Sequence, residues 1–575
     1  MTGEPGRTRL LALAAAAGLL FHLWAGFSFI KSAAPTYDEP VHLASGYSYI
    51  KTGRYALNIM DHPPFSEMLS ALPLLFRSPE TFLTHPYFDR RMPYHYSDYF
   101  LYNNTVSPEG LLGPARAFGF LVWTAGFSAV IFLFCLKLHS PAAGFAALAV
   151  YYFLPVFISN NALVTTDSAA ALFYAASLLA GLLFALKAYG REALFPRREM
   201  LLAAACSGLA MASKFSMFVV PPLVSGLWIL HMLFFSPRRE GGRVFLHALL
   251  YCGLSLAALA LVYRGDLPLY FEGLNATIER LGAGRPSFSM GVQSMEGVWW
   301  YFPAVFLLKN PAAFLMFLAA GLAAAFRGRG PALLWLVLPF VFYFASSFAS
   351  KVQIGVRHLL PAMPLAAALA GFGLAALLSR RRAALLTLPA AAFSVFFVIS
   401  SHPSYLAYFS EAAGGKKNGW KYFTDSNLDW GQDLKTLGEK LRSEGSPPVV
   451  FSYFGVGRPE HYGMKYLPLG VVTNVNEIGE TSHAGDLCAS ERRLLAVSAT
   501  NLMGTYYPDQ DRFGWLWGRE PYFSAGDSIF LYDLAGDAAA LEKAAGLLLR
   551  SGHPREAACW RDGGRPLLLT SKVKT

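Results

Sequence analysis

Charge is scarce in this chain. Only 15% of its 575 residues are Asp, Glu, Lys or Arg, against 54% hydrophobic, and the mean hydropathy is +0.37. Soluble domains do not carry so apolar a balance, so the solvent expected for most of the chain is the bilayer. Cysteine is scarce too. Cys135, Cys206, Cys252, Cys488 and Cys559 form no CxxC or other ligand spacing, and three of them fall inside apolar runs. That pattern predicts neither a disulfide framework nor a cysteine-bound metal. The net charge of +11 excludes little by itself, but the basic residues sit beside apolar segments and form no stripe interleaved with aromatics. Nucleic acid is therefore not an expected partner, and topology explains the charge. No repeat period or low-complexity tract stands out.

What is abundant is long apolar runs. A helix needs about 20 apolar residues to cross the hydrocarbon core, where only internally satisfied backbone is tolerated. Eleven runs qualify, near 10–30, 113–136, 141–158, 167–187, 199–212, 215–235, 244–263, 310–326, 331–348, 357–378 and 384–401. The first is too long for a signal-peptide core and reads as a retained anchor. Alternate turns are basic: Arg7 and Arg9, Lys137, Lys187 with Arg191, Arg197 and Arg198, Arg238 with Arg239 and Arg243, Arg327 with Arg329, and Arg380 to Arg382. The positive-inside rule puts these in the cytoplasm. An odd span count then places residues 402–575 outside, with the long loop 31–112 and the loop 264–296. Beyond 402, strand-like runs at 447–454, 492–499 and 528–534 and a helical pattern at 429–444 predict a small extracytoplasmic α/β domain. The expected organisation is a transmembrane domain over 1–401, with 31–112 as its outer loop, and a second domain over 402–575.

The unusual polar residues fall on the outer side. Asp38 and Glu39 follow the first span directly, and a membrane-surface carboxylate poised by partial burial suits a general base. Standing alone, the pair would read as solvated loop acids. In the same loop, Asp61 and His62 precede the rigid turn of Pro63 and Pro64. Asp167 opens the fourth span, as an N-cap or as a functional intramembrane carboxylate. Lys214, Lys351 and Arg357 sit on the outer side, where basic residues are disfavoured, and Lys309 lies inside an apolar stretch. Such cations want an anion, either an isoprenoid phosphate at headgroup depth or ordinary anionic membrane lipid. The segment 402–437 is rich in Gly, Asn, Asp and aromatics, which suits a carbohydrate-contacting surface or a set of turns.

Taken in order, 37-YDEPVHLASGYSYIKTG-53, 61-DHPPF-65, 165-TTDSAAALF-173, 212-ASKFS-216, 307-LLKNP-311, 355-GVRHLLPAMP-364 and 425-DSNLDWGQDL-434 resemble bacterial relatives of the dolichyl-phosphate-mannose protein mannosyltransferases. That group, of the GT-C fold, includes the lipid A aminoarabinose transferases. The resemblance implies a glycosyltransferase that moves a hexose or pentose, with inversion, from a polyprenyl-phosphate donor to a protein, glycan or lipid hydroxyl outside the cytoplasmic (inner) membrane. It implies Asp38 as base and Glu39 as supporting acid, with Asp61, His62, Lys214 and Arg357 toward the substrates; Asp167 and Lys351 join that set on their placement at the outer edge of the membrane. His62 stands where aminoarabinose transferases carry lysine and lacks that residue's fixed charge. Because the leaving group is already a phosphate, its charge needs stabilising more than it needs a proton, and cations supply that without a cofactor. A divalent cation stays open among the many acids. The rival classes are a multi-span transporter or lipid flippase, which would gather its ionisable residues near the midplane, and a sensor or scaffold with a sugar-binding tail.

Overall fold

The computed structural model describes residues 4–190, 195–237, 240–469 and 487–561. Arg191, Arg238 and Arg239 of the basic turns lie outside them. Each of the eleven apolar runs falls on helix. Among the described residues, seven helices are long and apolar enough to cross a membrane, or eight if Tyr301–Leu308 and Ala312–Gly328, bent by 113°, form one span. The chain is a multi-pass membrane protein. The remaining runs are shorter helices: Arg197–Met211, Leu338–Ser346 with the turn before it, and Pro141–Tyr152 followed by Pro155–Asn160. Proline explains two of the breaks, since Pro155 and Pro311 cannot donate to the preceding turn and each opens a new helix.

The chain divides into two compact units. The first comprises Met1–Lys31, Asp38–Arg285 and Ser294–Lys416. Its central helix is Val356–Leu378, almost wholly buried, whereas Arg381–Ser400 is largely exposed. Small residues make that centre dense. A Cβ on Gly321 would lie 1.8 Å from the Leu369 carbonyl oxygen, and one on Gly373 would lie 1.9 Å from that of Phe317. The two backbones therefore touch, as small residues allow between membrane helices.

The second unit comprises Ser32–Tyr37, Pro286–Gln293 and Lys417–Thr575. Among its described residues is a five-stranded sheet of β1 (Val449–Ser452), β2 (Tyr466–Pro468), β3 (Leu494–Ser498), β4 (Phe523–Ala525) and β5 (Ile529–Asp533), in the order β2-β1-β3-β5-β4. β1 runs parallel to β2 and β3, with Val449 opposite Leu494, while β5 is antiparallel to β3 and β4. Alternate residues Val449, Phe451, Leu494, Ala496, Ile529 and Leu531 share a core with Leu434, Leu437 and Leu441, the i, i+3, i+7 stripe of the helix Leu434–Ser443. The three strand-like runs and the helical pattern are all found.

One expectation is overturned in this unit. Cys488 and Cys559 form a disulfide, with Cα atoms 5.7 Å apart across 71 residues of chain. Local spacing carries no signal for such a pair, because the fold and not the sequence interval brings the two thiols together. Cys135, Cys206 and Cys252 are free.

Candidate functional site

Four charged residues of the first unit meet at the N-terminal ends of four helical segments. Asp38 stands at the N-cap position of the helix Glu39–Thr52, and its side chain makes no capping bond. Asp167 is the first residue of Asp167–Ala188, Lys214 precedes the turn that leads into Val220–Phe235, and Arg357 lies in the turn that leads into Met363–Leu378. Lys214 Nζ is 2.5 Å from Asp167 Oδ1, and Arg357 Nη1 is 3.3 Å from Asp167 Oδ2 and 3.5 Å from Asp38 Oδ2. The contacts thus run Lys214, Asp167, Arg357, Asp38. Helix N-termini carry partial positive charge, so the spot favours anions beyond what the two cations contribute.

Glu39 is turned elsewhere. Arg116 of the helix Pro108–Leu138 grips it through both carboxylate oxygens, at 2.8 and 2.5 Å, and the Val164 N–H donates to Oε1 at 3.0 Å. Both side chains are buried. This bidentate pair ties the start of the Asp38 helix to a long span and to the segment just before Asp167.

The outer loop adds a second group. The short helix Pro64–Ala71 is docked by Phe65 N–H on the Ala212 carbonyl and by the Ser66 hydroxyl on the Thr165 carbonyl, each at 3.0 Å. Those two carbonyls lie two residues before Lys214 and two before Asp167. From this helix Glu67 reaches His42, with Nδ1 to Oε1 at 2.9 Å, and accepts from Asn58 Nδ2 at 2.6 Å. His62 stands edge-on to His42, ring centres 4.8 Å apart. Close approach requires glycine here: a Cβ on Gly46 would lie 2.0 Å from the Glu67 carbonyl oxygen.

Electrostatics separates the two histidines. Burial alone would lower His42, but the Glu67 hydrogen bond and charge, with Asp38 and Asp167 farther off, raise it above the ordinary imidazole range. Burial pushes Glu67 up, against the pull of His42 and Asn58. His62 is held well below the ordinary range by burial, then by His42 and Lys214.

Of the residues expected from sequence, Asp38, Asp167, Lys214 and Arg357 come together, and His62 lies within their field. Asp61 instead pairs with Arg280, and Lys351 with Glu296, both partly exposed. Lys309 is buried, donating to the Leu406 carbonyl at 2.8 Å under the Phe409 ring. Sequence reasoning missed Arg116, His42 and Glu67. Arg116 was signalled as a lone charge inside an apolar span, and His42 by its place one helical turn after Asp38. Glu67 had no signal beyond its helix. Among the described residues, no group of three or more His, Cys, Asp or Glu is placed to hold a metal ion.

No family model matches the chain, and no curated protein matches it by sequence. Among solved structures, ArnT from Cupriavidus metallidurans in the apo state is similar over 92% of this chain and 98% of its own, at 12% identity and a TM-score of 0.50. The same protein bound to undecaprenyl phosphate gives 12% identity, 92% and 99% coverage and a TM-score of 0.49. The Archaeoglobus fulgidus oligosaccharyltransferase tethered to an acceptor peptide gives 11%, 85% and 69%, and 0.41. At these identities the likeness is one of fold, and the chain has the GT-C architecture that its motifs resemble, followed by a small sheet-containing unit.

Proposed function

We propose that the chain is a glycosyltransferase that moves a sugar from a polyprenyl-phosphate donor to an acceptor hydroxyl of a protein, glycan or lipid, at the outer face of the cytoplasmic membrane. The observation that carries this reading is the run Lys214, Asp167, Arg357, Asp38 at four helix N-termini. A lipid-linked phosphate at headgroup depth meets one guanidinium, one ammonium and several oriented N–H dipoles there. Arg357 is shared between Asp38 and Asp167, so a phosphate that draws it away leaves the Asp38 carboxylate to an acceptor hydroxyl. Asp38 then takes the hydroxyl proton as the acceptor oxygen attacks the anomeric carbon and the bond to phosphate oxygen breaks, which inverts that carbon. Lys214 and Arg357 receive the charge that develops on the leaving phosphate, so no metal is required. Glu39 acts through position, by fixing the helix that carries Asp38.

Two further observations support the reading. ArnT, which shares this fold, is a lipid A aminoarabinose transferase. The Cys488–Cys559 disulfide suits an extracytoplasmic second unit, because such bonds persist in oxidising compartments.

The test is release of polyprenyl phosphate by the purified chain from radiolabelled undecaprenyl-phosphate sugars, namely mannose, glucose and aminoarabinose. Transfer to an acceptor with release supports the reading. Movement of the intact donor across a vesicle membrane without release would make the chain a flippase. A reporter fused after Thr575 checks the side, and activity of a cytoplasm-only reporter there would overturn the topology.

A further inference from the structure

Asp38 must lose the proton it gains before the next turnover, and the structure offers a group to take it. His42 lies one turn along the same helix, and its N–H donates to the Asp38 carbonyl at 3.2 Å, so the helix is in register from Asp38 onward. Residues at this spacing share a face. His42 is also fixed by a neighbouring helix: Nδ1 meets Glu67 Oε1, and that oxygen also accepts from Asn58. Asn58 in turn orders its own loop, accepting from the N–H groups of Asp61 and His62 at 3.0 Å each. With Nδ1–H donated to Glu67, Nε2 is the nitrogen left to accept a proton. Glu67 Oε2 is buried and makes no hydrogen bond. The carboxyl group is therefore committed through one oxygen to His42 and Asn58, and a buried carboxylate of this kind is tolerable when its partner carries positive charge.

Resting on the glycosyltransferase reading, we propose that His42, oriented by Glu67, is a proton-relay residue that takes over from Asp38 the proton of the acceptor hydroxyl. The acceptor oxygen bonds to the anomeric carbon while the electron pair of the breaking bond leaves with the phosphate. The hydroxyl proton passes to the Asp38 carboxylate and then to His42 Nε2. The product is an imidazolium paired with the Glu67 carboxylate, which returns its proton to water. The groups that face His42 and set its titration are Glu67 on the helix Pro64–Ala71, His62 in the preceding turn, Asp38 on its own helix and Asp167 at the head of its span. His42 acts through Asp38 and touches neither substrate in this scheme.

The test uses the full chain and pH–rate profiles with the undecaprenyl-phosphate sugar that the wild type turns over. His42→Gln keeps a hydrogen bond to Glu67 but cannot carry a proton. It should lower turnover by about 100-fold, the low end of general-base assistance, leave the donor KM unchanged, and abolish the acid limb of the profile. Glu67→Gln should keep the limb but move it to lower pH, since the imidazole loses the charge that raises it. An acid limb unchanged in His42→Gln, even with a lowered melting temperature, would reduce the residue to packing and overturn the relay. Nitrogen-15 NMR of histidine-labelled protein provides an independent reading. His42 should titrate above free histidine in the wild type and below that value in Glu67→Gln, and an unmoved titration would overturn the pairing. If the wild type releases no polyprenyl phosphate from any donor, the glycosyltransferase reading and the relay both fall, while the NMR titration still decides whether the His42–Glu67 pair exists.

Discussion

Two parts of the molecule bury carboxylates in opposite ways. In the membrane unit, Asp38 and Asp167 meet Arg357 and Lys214, Glu39 meets Arg116, and Glu67 meets His42: each acid is matched by a cation or an imidazole. In the second unit, Asp425, Asp429 and Asp433 lie at intervals of four and are all buried. Neutral groups donate to each of them. Asp425 accepts from the Tyr506 hydroxyl and the Ser426 N–H, Asp429 from the Thr500 N–H at 2.9 Å, and Asp433 from Gln432 and Ser528 at 2.7 Å each. Gly526, at φ +60°, packs against the Asp433 carboxyl where a Cβ would be only 2.1 Å away. Acids paired with cations can exchange partners with an arriving phosphate. The first set, paired with cations, is therefore the one placed in the candidate active site.

The largest expected effect tests the cation-paired set. Asp38→Asn keeps the shape of the side chain but removes its ability to take a proton, so turnover should fall by about 10²–10⁴, the usual contribution of a general base. Donor binding should persist. Normal turnover in this variant, with loss in Asp61→Asn, would transfer the role to Asp61 despite its pairing with Arg280. Next comes Arg116→Ala, which strands the buried Glu39 carboxylate. Breaking a buried pair on one side costs about 3–5 kcal/mol, and the loss should appear as a lowered melting temperature in detergent. Glu39→Gln together with Arg116→Met should recover much of it, because the cost lies in the unpaired charge. Failure to recover would mean that the pair does more than hold the helix. Arg357→Ala should weaken undecaprenyl phosphate binding by about 1.5–3 kcal/mol, the range for hydrogen bonds to charged groups. Arg357→Lys should rescue only part, since an ammonium cannot contact two anions in one plane. Unchanged affinity in the alanine variant would leave this residue a lipid-headgroup contact.

How much of this was legible in the sequence differs between the same two parts. The spans were, because apolar length is a strong signal, and so were Asp38, Asp167, Lys214 and Arg357, because charge at a membrane edge is conspicuous against an apolar background. Their partners were not. Arg116 is a lone charge within a run that reads as lipid-facing, and the bond from Glu67 to His42 depends on Gly46 allowing two helices to touch. The strands of the second unit were legible as alternating runs. The disulfide and the buried state of residues 425–433 were not, since Asp, Asn and Gly in that density also describe an exposed turn.

The smallest effect concerns that segment. Asp429 is wholly buried, with Oδ1 lacking any hydrogen bond, and desolvation raises its carboxyl to about 8, the Thr500 bond pulling the other way and Asp425 and Asp433 adding to the rise. A raised folded-state value means that the folded chain binds this proton more tightly than the unfolded chain does. Its contribution to stability is therefore fully present below the ordinary carboxyl range near pH 4 and is lost as the pH climbs to about 8, with a slope of at most about 1.4 kcal/mol per pH unit for one proton. Asp429→Asn is neutral throughout and should lack that slope. The amide brings donors of its own that need partners, which costs about 1–3 kcal/mol at every pH, so the variant should gain on the wild type only as the pH rises. Melting temperatures of the full chain between pH 5 and 8 measure it. The two curves should diverge as pH rises, with the variant flatter. Parallel curves would mean that Asp429 is ionised in the folded state after all, held by a cation as the acids of the membrane unit are, and the contrast between the two regions would then fail.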